Sequence, residues 1–211
     1  MFEVLLNPTD YLDYNHEAVQ AYAAKVSGKN QKEQAVSIYY LVRDGIKYNP
    51  YTAGTGTNSL KASFAASHDE AYCIPKSALM VALCRSFGIP SKIGFADVIN
   101  HLSTEKFTEM MGTDYFTMHG YAEIYLDDKW VKATPVFNET LCHRFDVEPL
   151  DFDGENDAIF HQFTKGGKKH MEYVVDHGSF DDMPVEYIHQ NFTKHYPHLI
   201  DYFERFKAES F

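Results

Sequence analysis

At 211 residues with 45% hydrophobic content, the chain is long enough to bury one sizeable core and too apolar for a disordered segment. A formal net charge of −11 argues against a nucleic-acid or anionic-membrane surface, both of which need clustered Lys and Arg. Three cysteines make no disulfide framework, and no apolar run approaches the roughly 20 residues that span a bilayer. The residues Met1-Phe2-Glu3-Val4-Leu5-Leu6-Asn7-Pro8 are too short and acidic for a signal peptide, so a reducing cytoplasm is the expected compartment.

In chain order, residues 1–14 predict a short strand or extended arm before Pro8-Thr9-Asp10 intervenes. Ala18, Val19, Tyr22, Ala23 and Val26 repeat at helical spacing and close on Gly28; Ala35, Ile38, Tyr39 and Val42 predict a second helix ending near Asp44-Gly45. Residues 46–51 read as extended. Residues 53–59 form a glycine-bearing polar loop that lacks both GxxxxGK[ST] and GxGxxG, which favours a mobile loop beside a site over a phosphate cradle. Residues 60–67 predict a turn or two of helix.

The next stretch, Ala71 to Pro90, reads as a helix that begins at a cysteine. Pro75 suits the first turn, Gly88 and Pro90 mark the stop, and Leu79, Ala82 and Leu83, with Ala78 and Val81 beside them, predict burial around most of the circumference. Cys73 sits at the N-terminal edge, where unpaired N–H groups and the helix dipole favour a thiolate. The alternative is a small buried hydrophobe, the common fate of a free cysteine. Cys84 lies three turns along the same helix, roughly 16 Å away, too far to pair with Cys73.

Lys92 to Val98 predicts a strand packed on that helix, and residues 100–112 a polar, partly helical excursion. Met118 to Leu126 and Trp130 to Pro135 form a hairpin by alternation, with His119, Tyr121, Glu123 and Tyr125 on one face. A two-residue loop within 127–129 pairs odd positions of the first strand with even positions of the second. Thr134, Val136 and Asn138 then come to the His119 face, the last two only if the strand continues past Pro135. Beyond Phe137, Cys142-His143 follows a turn of helix, and His161, His170 and His177 fall in short strand-like pieces. Met183-Pro184 opens an aromatic-faced helical segment to about Glu209, interrupted at Pro197. Although there are 11 histidines, their spacing offers no HxxxH, HxH or CxxC, which argues against a metal; neither metal nor cofactor is expected.

A cysteine opening a helix, a histidine on a later strand and a hydrogen-bonding residue on the neighbouring strand are the parts of a thiol nucleophile, its base and the group that orients the base. The segments Tyr40 to Tyr48, Cys73 to Arg85 with Phe87-Gly88-Ile89-Pro90, and His119 to Val131 resemble the transglutaminase-like superfamily of papain-related thiol enzymes over residues 35–138. The resemblance implies an α+β fold, in which N-terminal helices include a nucleophile helix packed on an antiparallel sheet. It also implies Cys73 as nucleophile and His119 as base. The expected organisation is a single domain over 1–211, with residues 139–211 packing on the core.

Where such families commonly carry Asp-Pro, this chain has Thr134-Pro135. Thr134 and Asn138 are both candidates to orient the imidazole, with Asn138 preferred because a hydroxyl is the poorer orienter; Glu123 shares the face. Ala71 stands where many relatives have glycine. The second oxyanion donor is left among Tyr72, Asn100 and His101. The expected activity is hydrolysis of, or acyl transfer from, a peptide or amide-bearing substrate through a thioester on Cys73. The alternative is an inactive module of the same fold that binds a partner.

Overall fold

The computed structural model describes residues 2–53, 56–160 and 163–199. Its helices are α1 (Glu17–Ala23), α2 (Gln31–Gly45), α3 (Ala62–Ala66), α4 (Cys73–Ser86), α5 (Glu105–Met111), α6 (Glu139–Arg144) and α7 (Val185–His195). Its strands are β1 (Lys47–Tyr48), β2 (Glu70–Ala71), β3 (Ser91–Asn100), β4 (Tyr115–Leu126), β5 (Lys129–Ala133) and β6 (Met171–Phe180). The fold is α+β, with the N-terminal helices packed on an antiparallel four-stranded sheet of order β5-β4-β3-β6. No helix among the described residues is long and apolar enough to cross a membrane.

Helix α4 sits at the centre, and every residue from Cys73 to Arg85 is buried. A helix apolar on all sides needs cover on all sides. Here α1, α2 and α3 supply it on one side and β3 and β4 on the other. Strand β4 approaches closely because Gly120 has no side chain: a Cβ there would lie 3.2 Å from Ile74 Cα and 3.4 Å from the Cys73 carbonyl. Leu79 and Leu83 of α4 are fully buried, and truncating either to alanine removes roughly 2–5 kcal/mol of packing.

Two cations are buried with α4, and each is spent on backbone carbonyls. The Arg85 guanidinium donates to the carbonyls of Ser91, Asn7 and Asp181, tying the end of α4 to both flanks of the chain. Lys76 Nζ donates to the carbonyls of Arg43 and Ile46, which the end of α2 leaves open. Burial pushes its ammonium from 10.5 down to about 7. Between those values the unfolded chain binds the proton that the folded chain has lost, so this group makes stability rise with pH. Unfolding free energies measured from pH 7 to 8.5 are expected to climb by up to about 1.4 kcal/mol per pH unit. The rise should be absent in Lys76→Met; an unchanged slope there would mean that the lysine is not its source.

The predicted hairpin is present with a two-residue turn, Asp127-Asp128, both at positive φ as a type I′ turn requires. Leu126 pairs with Lys129 and Glu123 with Lys132, so odd meets even as the alternation predicts. Three sequence expectations need correction. Residues Glu3–Leu6 form a short 3₁₀ helix in place of an extended arm. Pairing of β5 stops at Ala133, so Val136 and Asn138 never enter the hairpin register. The pieces around His170 and His177 include one long strand, β6, antiparallel to β3. Within the 53–59 loop, Gly54 and Thr55 lie outside the described residues, as do His161 and everything past Leu199 in the C-terminal segment.

Candidate active site

Cys73 is the first residue of α4, and β1 and β2 set its approach: the parallel pairing of Tyr48 with Ala71 delivers the chain to Tyr72, the helix N-cap. The thiol faces the backbone N–H groups of Gly120, Ile74 and Cys73 itself. Burial outweighs these donors and pushes the thiol up to about 11. Cys84 and Cys142 are also free, and burial raises both, Cys84 to about 12 and Cys142 to about 11. Cys73 differs from them in sharing a cavity with His119; Cys142 lines a neighbouring cavity that His119 does not reach.

That cavity, of about 90 Å³, is lined by both Cys73 and His119, so the structure brings the predicted nucleophile and base to one space. Phe107 of α5 and Phe192 and Tyr196 from the α7 end close it, leaving Cys73 9% and His119 6% exposed. The imidazole meets the Phe160 ring edge-on at 5.1 Å between centroids. Its Nε2 is buried with no hydrogen-bond partner among the described residues, and desolvation pushes the imidazole pKa down to about 4. At neutral pH the resting pair is therefore thiol and neutral imidazole.

Neither candidate orienter is hydrogen-bonded to His119. Asn138 caps α6 and spends its amide elsewhere, accepting from the Tyr48 N–H at 3.0 Å and donating to Thr140 Oγ1 at 2.6 Å. It fixes a wall of the cavity rather than the ring. Thr134 is buried after β5, and its hydroxyl lies by that of Tyr173 without forming a hydrogen bond of regular geometry. Glu123 accepts from Ser179 Oγ across the sheet. Of the three oxyanion candidates, Tyr72 and Asn100 line the cavity, whereas His101 pairs with Glu172 at 3.5 Å.

The imidazole is positioned through its backbone. Ala96 pairs with His119 and Val98 with Phe116, so Thr117 and Met118 together oppose Asp97 in a bulge with Met118 at φ 58°. Asp97 is 2% exposed and accepts from Met118 N–H at 3.0 Å, Thr117 Oγ1 at 2.6 Å and Tyr115 Oη at 2.6 Å. His177 Nε2 lies 2.7 Å from the same carboxylate. A carboxylate only accepts, so Nε2 carries a proton. Burial opposes the Asp97 charge, yet these donors outweigh it and hold the carboxyl below its usual range. Tyr196 Oη accepts from Thr117 N–H at 2.9 Å and so ties the C-terminal segment to the bulge. Sequence reading missed Asp97 and Tyr196. A lone carboxylate inside the apolar run Ile93 to Val98 was the available signal.

Among the described residues, no three His, Cys, Asp or Glu side chains gather as a metal site.

A family model described as the transglutaminase-like superfamily matches residues 20–135. Among solved structures, the chain is similar to a proposed cysteine protease from Cytophaga hutchinsonii, at 16% identity and a TM-score of 0.46, with 64% of this chain and 41% of that one covered. The chain thus spans about two fifths of that protein's length. A search of curated proteins finds no match.

Proposed function

The chain belongs to the transglutaminase-like superfamily, and we propose that it is a thiol enzyme that forms a thioester on Cys73 with His119 as general base and acid. The observation that carries this reading is the shared cavity, lined by both Cys73 and His119, with the thiol near the backbone N–H groups of Gly120, Ile74 and Cys73. The neutral imidazole takes the thiol proton as sulfur attacks the carbonyl carbon. Negative charge then passes from sulfur to the carbonyl oxygen, where backbone donors at the helix N-terminus are suited to receive it. His119 returns the proton to the leaving amine, and water or an amine resolves the thioester. Hydrolysis of a peptide or amide bond is the preferred outcome.

Iodoacetamide tests competence directly. At pH 7 Cys73 is expected to label at least tenfold faster than Cys84 or Cys142, and His119→Ala should remove the difference, because the thiol then has no base near it. The imidazole stays neutral to about pH 4, so the wild-type rate should hold from pH 7 down to pH 5. Equal, slow labelling of all three thiols would instead favour a binding module of this fold.

A further inference from the structure

A second cavity, of about 190 Å³, adjoins the Cys73 cavity and shares the walls Tyr48, Pro50, Asn100, Phe107 and Phe137 with it. Its far side is made by α6 and the residues after it, Leu141, Phe145 and Val147. These lie beyond the 20–135 segment that matches the family model. The lining is mainly apolar and aromatic. An apolar cavity of roughly 150 Å³ accepts a benzene ring, so this one has room for a phenyl-sized side chain.

The rim carries one feature of opposite character. Arg144, exposed on the last turn of α6, lines the cavity and has no ion pair or hydrogen bond among the described residues. His143 Nε2 lies 3.5 Å from Glu139 and Lys165 is paired with Glu148 at 2.5 Å, while the exposed Asp146 has no ion pair among the described residues. In a chain of net charge −11, a single uncommitted guanidinium beside an aromatic slot sets a clear complement. Guanidinium recognises carboxylate by paired N–H donors.

We propose that this cavity is the substrate-selecting subsite and that it takes a peptide segment bearing an aromatic side chain next to a carboxylate. The aromatic ring fills the slot between Phe107, Phe137 and Phe145, and the carboxylate pairs with Arg144. The assignment rests on the thiol-enzyme reading for its meaning as a substrate site. Its geometry does not depend on thiol reactivity. The carboxylate can come from a C-terminal aromatic residue or from an acidic side chain beside one.

The test measures binding to Cys73→Ala, which cannot turn over, by NMR titration with four peptides. Acetyl-Ala-Phe is compared as free acid and as amide, and acetyl-Glu-Phe-amide with acetyl-Gln-Phe-amide. The carboxylate-bearing member of at least one pair is expected to bind about three- to tenfold tighter than its neutral partner. The pair that shows the preference identifies the source of the carboxylate. Arg144→Gln in the same background should erase the preference while the neutral peptides bind as before. Equal affinity within both pairs, no binding, or a preference that survives Arg144→Gln would overturn the proposal. Rapid iodoacetamide labelling of wild-type Cys73 in that event would leave the enzyme reading standing. Slow labelling with intact peptide binding would overturn the enzyme reading alone.

Discussion

Replacing Cys73 with alanine is expected to abolish acyl-enzyme formation while the fold persists. The side chain loses one heavy atom facing a cavity, a packing cost of about 1 kcal/mol, so the thermal transition should move by only a few degrees. Removing the nucleophile of a covalent mechanism typically lowers turnover by on the order of 10⁴-fold or more, because the remaining donors can bind substrate but have nothing to attack it with. The measurement is mass spectrometry of the intact protein after exposure to an electrophilic acyl probe, with and without Cys73. An adduct of unchanged yield in Cys73→Ala, located on Cys142, would sink the assignment. His119→Ala should approach the same loss, since the thiol, held up near 11 by burial, then keeps its proton at neutral pH.

The second large effect is expected at Asp97, which touches neither the thiol nor the imidazole. Asp97→Ala leaves Met118 N–H, Thr117 Oγ1, Tyr115 Oη and His177 Nε2 without their common acceptor, inside a region only 2% exposed at the carboxylate. Removing one member of such a buried charged network costs roughly 3–5 kcal/mol. The bulge that aims His119 loses its anchor, and a displacement of about 1 Å at a catalytic group can cost about 10²-fold in rate. Asp97→Asn keeps the shape and one acceptor oxygen, so it should be milder in melting temperature yet still slow Cys73 labelling. A purely structural role would lower the melting temperature of both variants without slowing labelling in the folded protein at 10 °C. That outcome would remove Asp97 from the positioning of His119.

Much of the framework of the candidate site was legible in the sequence because its signals are local. The Pro75 start, the Gly88-Pro90 stop and the apolar run between them describe a buried helix whatever surrounds it, and α4 spans Cys73–Ser86. Alternation from Met118 to Leu126 and a short turn set the pairing parity of the hairpin, and Leu126 does meet Lys129. The length of β6 was not legible, and only short strand-like pieces were, because it is an edge strand, largely exposed from Glu172 to Asp176, with no apolar alternation to announce it.

The amino-acid sequence by itself determined the central helix with Cys73 at its start, the hairpin carrying His119, and the order in which they occur. Tertiary structure decided what holds the histidine. Asn138 and Thr134 have suitable chemistry, but β5 ends at Ala133, and Asn138 turns its amide to the Tyr48 N–H instead. The backbone at Met118, next to His119, is anchored by a carboxylate from β3 through a bulge that no periodicity predicts. Periodicity reports which face of an element is buried. The partner of a buried polar atom depends on which element arrives opposite it, and that is fixed only when the sheet and helices pack.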